Sequence, residues 1–341
     1  MISLKQIKTY LENSTNPLIF FDDDSDGLAS FLLIYKYLGR GKGVIVTHNA
    51  VDDSYLKSVE YYHPDLILVL DKHTITQEFV DKVNVPILWI DHHPPNPIEG
   101  VKHFNPLYSD KKDSRPTSYW CYKLTNENLW IAAIGIVADW SLELHQDFCK
   151  KYKDLTDCKL NEPPDVLFNT KLGTLAKLFT FILKGKKEDV KKSIKILTRI
   201  EDPNEILNGT TPRGKFIYKR FEKINREYES LLKDALENSI KYKNILLYTY
   251  SATSTSYTPI LSNELQYKFP DKVILVARGK NDSFKISLRS YYKGNIILPK
   301  LINKALEGLN GYGGGHDHAC GGNIHKDDFK TFVDRMEHLL K

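Results

Sequence analysis

An α/β fold is predicted: a parallel-sheet domain and a smaller α/β C-terminal domain, joined by a helical connector. Three observations support this. Short apolar runs alternate with helical stretches from residue 17 to about 140. Acidic residues and histidines follow the ends of several of these elements. A second strand-rich segment opens near Asn244, after a helical, lysine-rich stretch over 141–243.

The first strands are expected at 17–21, 43–47, 66–70 and 85–90. Their near-continuous apolar character indicates burial on both faces, as in a parallel sheet covered by helices. Pro86, near the start of the last run, fits a position where a missing N–H is tolerated. Gly27 to Tyr35 reads as the first helix. Leu172 to Leu183 and Val190 to Ile200 look amphipathic, and Lys215 to Tyr242 reads as one long connecting helix. Glu222, Glu227 and Glu229 interrupt the basic residues of that helix, which favours a solvated face over a polyanion-binding one. Further strands are expected at 245–250, 273–277 and 284–289, with a final helix over 326–341. The domain expectation is 1–205, a connector over 206–243, and 244–341.

Composition narrows the class. A length of 341 residues suits two domains, and the formal net charge of +5 permits a polyanionic partner without requiring one. The four cysteines, Cys121, Cys149, Cys158 and Cys320, form no Cys-x-x-Cys pair, so reduced structural thiols are expected. No apolar run approaches the roughly 20 residues of a bilayer span, and the N-terminus lacks a signal-peptide pattern. The expectation is a cytoplasmic protein with no membrane partner.

The chemistry lies past the strand ends. Asp22, Asp24 and Asp26 follow the first strand, Asp71 the third, and Asp91-His92-His93 the fourth. Asp139 ends the apolar stretch 131–138. Carboxylates and imidazoles without thiolate suit Mn²⁺ or Mg²⁺, with Co²⁺ or Zn²⁺ as alternatives. So many converging acids repel one another unless cations intervene, and two ions roughly 3.5–4 Å apart can share one carboxylate. Other readings stand beside this one: a helix-capping cluster for Asp22 to Asp26, a turn residue for Asp71, and a satisfied core pair for His92-His93. Downstream, Gly311-Tyr312-Gly313-Gly314-Gly315-His316 offers backbone amides and an imidazole to an oxyanion, or is a plain glycine-rich turn. Arg289, at a strand end, suits bidentate phosphate contact or a surface salt bridge.

In order and spacing, Asp22-Asp23-Asp24-Ser25-Asp26-Gly27, Asp71, Asp91-His92-His93 and Asp139 resemble the four motifs of the DHH phosphoesterase superfamily. Gly313-Gly314-Gly315-His316 with Ala319-Cys320-Gly321-Gly322 resembles the signature of the C-terminal domain that accompanies it, and archaeal RecJ-like proteins are the nearest likeness. The resemblance implies a DHH metal-binding catalytic domain, an active site in the cleft between it and the smaller C-terminal domain, and two divalent ions, Mn²⁺ foremost. It implies that Asp24 and Asp26 bind different ions, that Asp71 bridges them, and that His92 and Asp139 complete the second. Asp22 is implied as a ligand of the first ion. His93 would contact the substrate phosphate, and Asp91 would support the histidines. Arg289, His316 and the amides of Gly313, Gly314 and Gly315 would hold substrate phosphate. Asn105-Pro106 and Arg115-Pro116-Thr117-Ser118 look like weaker substrate-side likenesses, their roles open. No segment resembles the oligonucleotide-binding barrel of longer bacterial RecJ nucleases, which leaves room for a short-oligonucleotide specialist.

The expected function is a metal-dependent exonuclease or oligonucleotidase on single-stranded DNA or RNA, hydrolysing phosphodiesters with water activated by two metals. The alternatives are a phosphodiesterase or phosphatase for small nucleotides (cyclic dinucleotides, very short RNA or bisphosphorylated adenosine) and a partner of replication or repair proteins.

Overall fold

The computed structural model describes residues 2–251, 255–291 and 294–340. Met1 and Lys341, the outer ends of the expected first domain and last helix, lie outside the described residues. The chain divides into two compact units, Met1–Phe221 and Glu222–Lys341, and the division falls inside the helix Pro212–Asn238.

The first unit is built on a five-stranded parallel sheet of β1 (Pro17–Asp22), β2 (Lys42–Val46), β3 (Leu66–Leu70), β4 (Ile87–Ile90) and β5 (Val101–Phe104). Its order is β2-β1-β3-β4-β5, and every neighbouring pair is parallel. Leu18, Phe20, Ile67, Val69 and Trp89 share one core cluster with Phe79 and Tyr55. The intervening Ile19, Phe21, Leu68 and Leu70 are buried too. Both faces of the central strands are therefore covered, which is why they read as unbroken apolar runs. The sequence does not announce β5. It is an edge strand in which only His103 is buried, so it lacks such a run.

The second unit carries a mixed six-stranded sheet: β6 (Ile240–Lys241), β7 (Ile245–Ser251), β8 (Val273–Lys280), β9 (Ser283–Arg289), β10 (Gly311–His316) and β11 (Ala319–His325). Its order is β10-β11-β9-β8-β7-β6, and β7–β8 is the parallel pair. The helices Leu298–Leu306 and Lys326–Leu339 pack their apolar sides on this sheet through Leu298, Ile302, Phe332 and Met336. The glycine-rich segment is thus not a loop. It forms the antiparallel pair β10–β11, in which Gly313 faces Gly322 and His316 faces Ala319. Its strands escape a pattern reading because glycine supplies no apolar alternation.

Two cysteines also depart from expectation. Cys149 and Cys158 form a disulfide, with Cα atoms 5.5 Å apart, while Cys121 and Cys320 are free and buried. The segment after the helix His145–Lys151 folds back on it, held by His145 Nε2 to Thr156 Oγ1 at 3.0 Å and by Gln146 Nε2 donating to the Cys158 carbonyl at 2.8 Å. Nothing in the Cys spacing signals that return. Among the described residues no helix is long and apolar enough to cross a membrane.

Candidate metal centre

In an open parallel sheet a ligand crevice forms past the carboxyl ends of the strands, where the strand order reverses. Here β1 pairs with β2 on one side and β3 on the other, so the reversal lies between β1 and β3. Asp22 ends β1, and Asp71 directly follows β3. Topology therefore brings together acids that are 49 positions apart in the chain.

Asp26 lies in the first turn of the helix Ser25–Leu38 and is 2% exposed. Its Oδ2 accepts from the Thr117 amide at 2.8 Å, and its Oδ1 accepts from the Ser118 amide at 3.1 Å and from the Ser118 hydroxyl. These donors stand at the start of the helix Thr117–Thr125, where backbone amides lack partners within the helix. Thr117 also donates its hydroxyl to Asp71 Oδ1 at 3.0 Å. Thr117 and Ser118 thus position two of the acids, a role the sequence left open. Both belong to Arg115-Pro116-Thr117-Ser118, the segment that the resemblance marks as a substrate-side likeness.

Asp71 is 1% exposed and sits at φ 58°, in the left-handed region. Its second oxygen, Oδ2, is buried without a hydrogen-bond partner. His92 Nε2 lies 3.5 Å from Asp71 Oδ1 and 3.6 Å from Asp139 Oδ2. His92 Nδ1 donates to the Ser114 carbonyl at 3.4 Å, which fixes the tautomer with Nε2 free to ligate. Asp91 turns away from this cluster: its Oδ1 accepts from His93 Nδ1 at 2.8 Å and its Oδ2 from the His93 amide at 3.2 Å. Asn105 braces the pair by donating to the His93 carbonyl at 2.8 Å.

The first motif divides its labour. Asp24 caps the helix Ser25–Leu38, its Oδ1 accepting from the Gly27 amide at 2.8 Å, so the capping reading holds for this residue. Gly27 is obligatory here, because a Cβ would lie 2.7 Å from the Asp22 carbonyl oxygen. Asp22 Oδ1 receives the Lys72 ammonium at 2.7 Å, and Lys72 is itself 4% exposed. The sequence reading passed over Lys72, although it directly follows Asp71.

Charge is concentrated at the centre. Burial and then repulsion from Asp26, Asp24, Asp139 and Asp22 hold the Asp71 carboxyl well above the usual carboxylate range. Burial, then Asp26 and Asp24, act the same way on Asp139. Burial and Asp24 raise Asp22, against the pull of Lys72. Burial and Asp26 raise Asp24. For His93, burial opposes the charge, but the hydrogen bond and charge of Asp91 outweigh it and push the imidazole up to about 9. Such mutual repulsion is what divalent cations relieve. Ligand atoms lie within 4.8 Å of one another inside each of two groups: Asp71, His92 and His93, and Asp26, His92 and Asp139. Together with the orphaned Asp71 oxygen, this donor set fits oxygen- and nitrogen-seeking divalent ions. Asp22 and Asp24 belong to neither group.

The remaining predicted residues lie in the second unit. Arg289 ends β9, and its partners are neutral oxygens. Nη1 donates to Leu288 O at 2.8 Å and Ser287 Oγ at 3.0 Å, and Nε donates to Asn263 Oδ1. Burial pulls its pKa down to about 10. It is not the surface salt bridge that a lone arginine suggests. His316 is exposed at the end of β10. Packing explains Gly313, where a Cβ would lie 2.8 Å from Ile302 Cγ2, and backbone conformation explains Gly315, at φ 146°. Gly314 meets neither constraint, since a Cβ there would find nothing within 4 Å.

Residues 16–156 match the family model described as the DHH family N-terminal domain, and residues 243–341 match the DHHA1 domain. No curated protein matches the chain in sequence. Among solved structures, the fold is similar to the DHH domain of a protein described as belonging to a family of ribosomal proteins (TM-score 0.71, 15% identity, covering 99% of this chain and 89% of that one). It is similar also to a manganese-bound exonuclease RecJ (TM-score 0.63, 16% identity, 99% and 94% covered). A pGpG-specific phosphodiesterase from Vibrio cholerae is a further likeness (TM-score 0.52, 12% identity, 95% and 97% covered). At such identities these likenesses speak for the fold. The family models, met by acids and imidazoles at the sheet's switch point, make this chain a member of the DHH phosphoesterase superfamily with a C-terminal DHHA1 domain.

Proposed function

We propose that the chain is a manganese-dependent exonuclease or oligonucleotidase that hydrolyses phosphodiester bonds of single-stranded DNA or RNA. The observation that carries this reading is the Asp71 Oδ2 atom, buried without a partner among acids and imidazoles close enough to share ions. Asp26, Asp71, His92 and Asp139 would hold one cation, and Asp22, Asp24 and Asp71 a second. Divalent cations held there supply a water of lowered pKa and neutralise phosphoryl oxygens. The protein's own part is positional. Thr117 and Ser118 hold Asp26 and Asp71 in place, and the Ser114 carbonyl sets the tautomer of His92. His93, kept protonated by Asp91, donates to a phosphoryl oxygen. Arg289 would hold a second phosphate through its guanidinium. His316 and those amides among Gly313, Gly314 and Gly315 that face away from β11 would complete that grip, since β10 is an edge strand and alternate amides of such a strand take no partner in the sheet.

The test uses 5′-labelled single-stranded DNA, RNA and dinucleotides with Mn²⁺, with and without chelator. Stepwise shortening of the longer strands, abolished by chelator, is expected. The likeness to a phosphodiesterase named for pGpG, of which this chain spans 97%, favours a second reading, a small-nucleotide phosphodiesterase. Cleavage confined to dinucleotides would establish that reading and remove the exonuclease. Association with replication or repair proteins is a separate proposal, tested by pull-down from cell extract.

A further inference from the structure

We infer that Lys72 is a tethered cation that competes with a divalent ion for the Asp22 side of the centre, so that the two ion positions differ in affinity. This rests on the reading that the centre holds divalent metal.

Lys72 follows Asp71 directly, and its backbone carbonyl accepts from the Trp89 indole N–H at 2.7 Å. That bond anchors the Lys72 backbone just past a strand end. Its side chain is 5% accessible, and its ammonium lies 2.7 Å from Asp22 Oδ1. Among the described residues, Asp22 is its one ion-pair partner. A buried ammonium is costly unless it is paired. A divalent ion that takes Asp22 must therefore strip Lys72 of its partner and then sit beside a buried positive charge. Both consequences weaken binding on that side. On the other side, among the described residues, no lysine or arginine pairs with a ligand oxygen, and the nearby His93 imidazole is paired with Asp91 instead: Asp26, His92 and Asp139 bring their ligand atoms within 4.8 Å, and Asp26 is held in place by the amides of Thr117 and Ser118.

The two sides thus fill in sequence. The Asp26, His92 and Asp139 side loads first, and the Asp22 side loads at higher metal concentration, once the ammonium has been displaced.

The experiment counts Mn²⁺ bound per chain by equilibrium dialysis across free concentrations, without substrate, on the full chain and on Lys72→Met and Lys72→Arg. Methionine keeps an unbranched stem of similar volume, and arginine keeps the charge. The wild-type chain should show one tight ion and a second needing about tenfold more free Mn²⁺ or higher. Lys72→Met should close that gap, and Lys72→Arg should keep it, with thermal melts checking that both variants fold. Two equal sites in the wild-type chain would overturn the inference alone, as would a gap unchanged in Lys72→Met. Chains that bind no ion would overturn it together with the proposed function. A two-step isotherm without nuclease turnover would sink the function and leave this inference standing.

Discussion

Asp71 joins a strained backbone to an unsatisfied oxygen. A non-glycine residue in the left-handed region is uncommon, and Asp and Asn tolerate it best. Asp71→Asn is therefore the informative substitution, because it keeps the backbone preference and removes the charge. Turnover should fall by about a thousandfold or more with the melting temperature held or raised, since a repelled buried carboxylate is lost. A variant retaining near-normal rates would end the metal-bridging proposal for this residue. His103 offers a second residue-scale prediction. It is 5% exposed, stacks on Trp89 with ring centroids 3.8 Å apart, and is pushed down to about 4 by burial. The unfolded chain then binds the proton more readily, so this contribution to stability is complete above about 6.5 and is lost as pH falls toward 4. Urea unfolding should show about 1–2 kcal/mol lost between pH 6.5 and 5, a part of the pH dependence that His103→Phe removes.

At the scale of elements, the centre depends on how closely three helices approach. Gly135 lies in the helix Leu129–Ala138, and a Cβ there would sit 2.5 Å from Ser118 Oγ and 2.7 Å from Ala29 Cβ. Gly135→Ala should cost about 1–3 kcal/mol of stability by overpacking. It should also weaken Mn²⁺ binding, because the helix it pushes is the one whose first amides hold Asp26. Calorimetry and a metal titration would check both, and unchanged metal affinity would detach Ser118 from the centre. The β10–β11 pair permits a paired comparison. Gly313→Ala meets Ile302 and should lower the melting temperature, whereas Gly314→Ala enters open space and should not. If substrate approaches the β10 backbone, Gly314→Ala weakens oligonucleotide binding even so. Asp26, Asp71, Asp139 and the central strands were legible because charge at the end of an apolar run is conspicuous. The supporting parts played by Asn105, Thr117, Ser118 and Lys72 were not, because a hydroxyl, amide or ammonium that supports a distant carboxylate has no local pattern.

For the molecule as a whole, a net charge of +5 persists although at least five carboxylates crowd one centre, so the remaining surface is more basic than the total conveys. Binding of single-stranded oligonucleotides to the Asp71→Asn chain should weaken steeply with salt, with a slope near −0.7 per phosphate contacted, about −2 to −4 in all. Salt-insensitive binding measured by fluorescence anisotropy would instead point to a small substrate. The sequence by itself determined the parallel sheet, the order of its first four strands along the chain, and the identity of the acids and histidines. Apolar runs and charged strand ends are local properties, written in consecutive residues. Tertiary structure alone decided the switch point between β1 and β3, the edge strand β5, the β10–β11 pair, the Cys149–Cys158 disulfide, and the meeting of Lys72 with Asp22. Each of these is a contact between residues whose own neighbours carry no mark of it, since hydrogen bonding and charge pairing act across space and not along the chain.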